Sequence, residues 1–123
     1  MKISMCLRTS AVVAFILIGT GHAVSAERTD KILIGGNPAG TQTVKEETGG
    51  VFHADYSFTD RGRGPHIIAT WKLDAAGVPT EYEGKGNDYM KATVEERFEL
   101  KNGKASWKNR SEQGERAVSG EAF

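Results

Sequence analysis

The chain has 123 residues, with 16 basic and 16 acidic side chains, three histidines and one cysteine. That balance excludes the strongly basic footprint of a nucleic-acid-binding domain. A single cysteine excludes an internal disulfide framework.

The chain opens with the basic residues Lys2 and Arg8, followed by nine apolar residues, AVVAFILIG (11–19). The run is too short to span a bilayer as a helix. Small and polar residues follow, with Val24 and Ala26 at the two positions a signal peptidase reads. This is the layout of a secretory signal peptide, and the expected cut falls after Ala26. Cys6 precedes the apolar run, so it is not placed as a lipid-bearing cysteine. The expected organisation is a signal-peptide helix within 1–26 and one domain over 27–123, directed to the periplasm or beyond, with no membrane contact after cleavage. Without Lys2 and Arg8 the remaining 97 residues carry 14 basic and 16 acidic side chains and no cysteine. A chain of this size buries only about 60–65% of its unfolded surface, so a covering partner would add stability.

Past Ala26 the hydrophobic period is two, which predicts strands. KILIGG (31–36) and AGTQTVKE (39–46) flank Asn37-Pro38, and EETGG (46–50) reads as a turn. In VFHADYSFT (51–59), Phe52, Ala54, Tyr56 and Phe58 share a face. In HIIATWKL (66–73), Ile67, Ala69, Trp71 and Leu73 do the same. DRGRGP (60–65) lies between them, a loop if Phe58 pairs with Ile67. The phosphate-loop alternative needs a Lys-Ser/Thr and a helix after the glycines, and a strand pattern follows instead. Arg61 and Arg63 remain candidates for contact with a partner domain. DAAG (74–77) is a turn, and VPTEYEGKG (78–86) reads as a strand whose Pro79 suits an edge position. NDYMKAT (87–93) reads as a wider loop.

VEERFELKNGKASWKN (94–109) is the clearest element, because Asn-Gly between alternating runs specifies a two-residue hairpin turn. Leu100 then faces Ala105, Phe98 faces Trp107, and Glu95 faces Arg110. Together these segments predict a mainly β fold: an antiparallel meander of about seven strands, forming a curved open sheet or a partial barrel. SGEAF (119–123) begins another alternation, as though a strand were cut, and predicts an unpaired edge open to self-association.

Catalytic material is sparse. His53 and His66 are expected opposite Lys72 and Thr59, six to seven rungs apart, about 20 Å at ~3.3 Å per residue. They therefore share no metal, and Asp55 sits beside His53 only. No nucleophile–base set is visible. No catalytic residue, metal ligand or cofactor is assigned to this chain.

Four stretches, GGNPAGTQTV (35–44), SFTDRGRGP (57–65), GNDYMKATVEERFEL (86–100) and KASWKN (104–109), in that order resemble the N-terminal β-rich region of large exported bacterial amidohydrolases of the imidazolonepropionase-like group. The resemblance implies metal-dependent hydrolase chemistry, with a divalent ion such as zinc, in a following barrel domain that carries a His-x-His. This chain has no His-x-His, so no family site residue transfers to it. The expectation is a non-catalytic N-terminal β domain that scaffolds such a barrel. The alternative is a stand-alone periplasmic module that binds an apolar ligand on a face lined by Phe52, Tyr56, Phe58, Trp71, Phe98 and Trp107.

Overall fold

The structure is a computed structural model that describes residues 25–119. Most of the expected signal peptide and the tail 120–123 lie outside the described residues. Eight strands follow one another: β1 (Ala26–Ile34), β2 (Asn37–Glu47), β3 (Val51–Phe58), β4 (His66–Leu73), β5 (Pro79–Asn87), β6 (Thr93–Lys101), β7 (Lys104–Lys108) and β8 (Gln113–Ala117). They form one antiparallel sheet in sequence order, and β1 and β8 are its two edges among the described residues. The all-β antiparallel meander is therefore as expected, in its open form.

The strand count is eight rather than seven. β8, QGERA, has no apolar alternation to announce it. Its pairing with β7 places Gly114 opposite Trp107, and the indole lies over the glycine, 2.6 Å from where a Cβ would stand. A large ring covering a bare backbone replaces the apolar side chain that sequence reading looks for. β7 ends at Lys108, because Asn109 turns the chain: its backbone N–H donates to the Glu112 carbonyl at 2.8 Å. Glu95 accordingly pairs with Lys85 of β5, not with Arg110.

Turn chemistry fixes the other registers. The Asn102-Gly103 hairpin is as expected, with φ of 52° and 69° and the pairs Leu100–Ala105 and Phe98–Trp107. The first turn sits at Gly35-Gly36, with φ of 57° and 82°. Asn37-Pro38 is drawn into β2, where Pro38 faces Leu33 beside a bulge. Pro79 does not mark an edge, since β5 lies inside the sheet between β4 and β6. It is tolerated as the first residue of its strand, at a register shift, where a missing donor breaks no regular ladder.

The 74–78 and 88–92 turns share one design. Asp74 Oδ1 accepts from the N–H groups of Ala76 and Val78 at 2.8 and 3.0 Å. Asp88 Oδ1 accepts from Met90 and Ala92, both at 2.9 Å. An aspartate that caps its own turn in this way is a strong local signal. The expected wide loop at 87–93 is therefore a tight five-residue turn.

The β3–β4 register differs from expectation by two residues: Tyr56 faces Ile67, Ala54 faces Ala69 and Phe52 faces Trp71. The shift is even, so every side chain keeps its face. Its cause lies in the connection, where Asp60 and Arg63 close a small turn by exchanging backbone bonds of 2.6 and 2.9 Å. The chain then pinches back against the Phe58 carbonyl at Gly64.

Two glycines of β5 separate backbone from side-chain constraint. A Cβ on Gly86 would stand 1.8 Å from the His66 carbonyl oxygen, and its φ is +149°. A Cβ on Gly84 would meet only the far end of the Tyr82 ring, which can swing. Gly86→Ala is expected to destabilise the chain by ~2 kcal/mol or more, lowering the melting temperature by about 10 °C or more. Gly84→Ala should lower it by less than half as much. Thermal melts of the two variants followed by circular dichroism measure the difference, and equal losses would contradict the close approach at Gly86.

Candidate functional site: an aromatic sheet face

The registers align side chains into rows across the sheet. Phe52 of β3, Trp71 of β4, Tyr82 of β5, Phe98 of β6 and Trp107 of β7 face one another in turn. Five aromatic residues thus lie in one line across five strands, about 19 Å long at ~4.8 Å per strand. Phe52 and Trp71 stack with centroids 5.3 Å apart and planes 4° from parallel. The next row on the same face is small, with Val44, Ala54, Ala69 and Gly84. The row after that holds Gln42, Tyr56, Ile67, Gly86 and Val94. Phe58 closes the series, with its ring edge-on to Tyr56 at 5.9 Å.

All six residues expected on an apolar face, Phe52, Tyr56, Phe58, Trp71, Phe98 and Trp107, therefore lie on one face. Tyr82 joins them as the centre of the aromatic row. It escaped sequence reading because its neighbours Glu81, Glu83 and Gly84 hide the alternation. No second layer covers this face among the described residues. The aromatics are half-buried, neither fully exposed nor fully enclosed, and Ala69, 8% exposed, is the one buried hydrophobic residue among those described. Towards β1 the face holds a shallow groove of ≈ 400 Å³, lined by Arg28, Gln42, Val44, Glu46, Phe52 and Trp71 among others.

The opposite face is polar and laced with pairs. Lys45 holds Glu47 at 3.0 Å, Lys85 and Arg97 hold Glu83 at 2.7 and 3.1 Å, and Lys104 holds Glu115 at 2.8 Å. The Lys85 and Arg97 contacts keep the Glu83 carboxyl below its ordinary value, and the Lys45 contact does the same for Glu47. Exposed pairs of this kind contribute little each. Together they mark the face as solvated. Ile68 is an exception, 55% exposed among polar neighbours, and nothing in the structure explains it.

The histidines lie on this polar face and correct the expected geometry. His53 faces Thr70 and His66 faces Ser57, four rungs apart and so about 13 Å. His53 Nδ1 lies 3.1 Å from Thr70 Oγ1. Asp55 bonds to His66, at 3.0 Å, rather than sitting beside His53 alone. Among the described residues no three His, Cys, Asp or Glu side chains gather to hold a metal ion.

Arg61 and Arg63 stand at the end of the sheet, on the small turn after β3. The Arg61 side chain is 92% exposed, with Nε 4.0 Å from Asp60 Oδ1. Arg63 Nη1 lies 3.8 Å from Met90 Sδ on the neighbouring 88–92 turn. The two turns are tied together. Tyr89 donates its hydroxyl to Asp60 Oδ2 at 3.2 Å, and Lys91 Nζ donates to the Gly64 carbonyl at 2.9 Å. Phe58 lies 6.3 Å from the Tyr89 ring. The basic turn is thus a fixed rim at one end of the aromatic face.

No family model, no curated protein and no solved structure matches this chain.

Burial raises the Tyr82 phenol above its ordinary value, and the nearby Glu96 carboxylate adds to the rise. The folded chain therefore keeps this proton after the unfolded chain has lost it. Stability present at neutral pH falls as the pH rises past about 10, the ordinary tyrosine value. Urea melts at about pH 9 and about pH 11 should show a smaller alkaline loss for Tyr82→Phe than for the parent. An identical loss would contradict the burial of Tyr82.

Proposed function

We propose that this chain is a non-catalytic, exported β-sheet domain whose aromatic face docks onto another folded unit. The observation that carries this reading is the row Phe52–Trp71–Tyr82–Phe98–Trp107, aligned by register and covered by nothing among the described residues. A half-buried apolar row of this length with no layer over it, bordered by polar residues, has the character of an interaction site. The resemblance to the N-terminal region of imidazolonepropionase-like amidohydrolases suggests what the unit is: a metal-dependent hydrolase barrel whose chemistry lies outside this chain. The sheet then acts as scaffold, and the tied turns carrying Arg61 and Arg63 form a rim against the same partner.

A second reading rests on the groove beside Phe52 and Trp71. Its apolar wall of Val44, Phe52 and Trp71, with Glu27, Arg28 and Glu46 around it, suits a small apolar ligand, held by a stand-alone periplasmic module.

The two readings separate in a protein that joins this chain to the coding sequence beyond Phe123. Trp71 and Trp107 are the only two tryptophans, and both stand on the aromatic face. If the face docks, their emission in the joined protein lies at shorter wavelength than in the chain alone, and Trp71→Asp weakens the contact. A coding sequence that stops at Phe123, or identical emission in both proteins, would reject the scaffold reading and favour the ligand-binding one.

A further inference from the structure

β1 is a nine-residue edge strand, exposed along its length except at Ile32 and bonded to β2 on one side only. Edge strands usually carry a bulge, a proline or inward charges that discourage pairing with another chain. Over 26–32 β1 has no proline, and its register with β2 is unbroken as far as Ile32. It does have charge, in the order Glu27, Arg28, Thr29, Asp30, Lys31. That order is antisymmetric about Thr29: each charge faces its opposite when the segment is laid antiparallel on itself.

We propose that β1 is a self-complementary edge, through which two copies of this chain pair antiparallel about Thr29 and join their sheets into one. In this register Glu27 faces Lys31 of the second copy, Arg28 faces its Asp30, and Thr29 faces its Thr29. Four opposite-charge pairs form across the two-fold axis, each of the favourable cross-strand kind. Thr29 already makes such a contact on its other side, where its Oγ1 lies 2.9 Å from that of Thr43 on β2. Arg28 and Asp30 already meet at 3.0 Å within the strand, so pairing brings two such couples together. Glu27 and Lys31 make no ion pair among the described residues, and both gain one.

The neighbouring registers are poor. A slip by one residue sets the aromatic face of one copy against the polar face of the other. A slip by two sets Arg28 opposite Arg28, or Asp30 opposite Asp30. The other edge has this property only weakly. β8 laid on itself about Glu115 or Arg116 opposes like charges, about Gly114 it matches only Glu112 with Arg116, and Glu115 is already engaged by Lys104. The pairing is isologous and closes at two copies. It also keeps both aromatic faces on one side of the joined sheet, because paired residues share parity.

The test uses the purified protein over a concentration series in sedimentation velocity. The expected result is a monomer–dimer equilibrium with no larger species. Arg28→Asp, which sets Asp opposite Asp30 of the second copy, weakens dimerisation about tenfold or more. Adding Asp30→Arg to the same chain restores it. A second arm does not depend on that variant folding well. In the exported chain after Ala26, which has no native cysteine, Thr29→Cys should form a disulfide-linked dimer under mild oxidation. Directly opposed residues lie about 4.5–5.5 Å apart at Cα, within disulfide reach. Glu27→Cys should not crosslink, since its equivalent in the second copy lies about 13 Å along the strand. A monomer at every concentration, a dimer indifferent to Arg28→Asp, failure of Thr29→Cys to crosslink, or open-ended oligomers of the kind β1-on-β8 contacts would build each overturns the proposal.

Discussion

A β-sheet satisfies its own backbone but cannot bury its own face. Stable domains solve this with a second layer, a helix or another sheet laid over the apolar side. Here one sheet contains every strand among the described residues, and no second layer lies on it. What remains is two-faced chemistry: aromatic rings and small residues dominate one side, with charges such as Arg28, Asp30 and Glu96 at its margins, and most ion pairs lie on the other. The aromatic face, the shallow groove and the scarcity of buried side chains all follow from the missing layer. Within the single layer, stability rests on backbone ladders, tight turns and cross-strand pairs rather than on a core.

The aromatic face compensates in part by packing along itself. Trp107 lies over Gly114 and Tyr82 over Gly84, so each ring covers a neighbouring stretch of backbone. Phe52 and Trp71 stack face to face. Such lateral contacts shield apolar surface without closing it off, which leaves the row able to receive a flat apolar partner. The tied turns at 59–65 and 88–92 stiffen the end of the sheet next to Phe58. A docking partner would therefore meet a preformed rim.

Much of this arrangement was legible in the sequence where a strand alternates cleanly or a turn has an unambiguous residue pair. Asn102-Gly103 specified both a turn and a register, and the alternations of 51–59, 66–73 and 94–109 together placed six aromatics on one face. The misses share a physical cause. Tyr82 and β8 fell where glycine stands in for an apolar side chain, because a ring two residues away or on the next strand does the covering. The 88–92 turn was hidden because Lys91, at φ 68°, occupies the left-handed position that Gly77 occupies in the matching 74–78 turn. The two-residue offset between β3 and β4 came from backbone geometry at Gly64, which no side-chain pattern records. The histidine neighbours moved with that offset.

The strictly sequential strand order sets how this molecule comes apart. Each strand touches its chain neighbours extensively and little else, so long loops need not close before pairing begins. Low contact order of this kind favours fast folding from local hairpins. It also makes the sheet quasi-one-dimensional, with stability close to a sum of neighbour-to-neighbour terms, as in repeat proteins. Unfolding then proceeds inward from the two margins, and the five-residue strand at one margin gives way before the middle of the sheet does. The central hairpins would hold their amide protons longest, so the middle of the aromatic row, Trp71 and Tyr82, lies in the last part of the sheet to open.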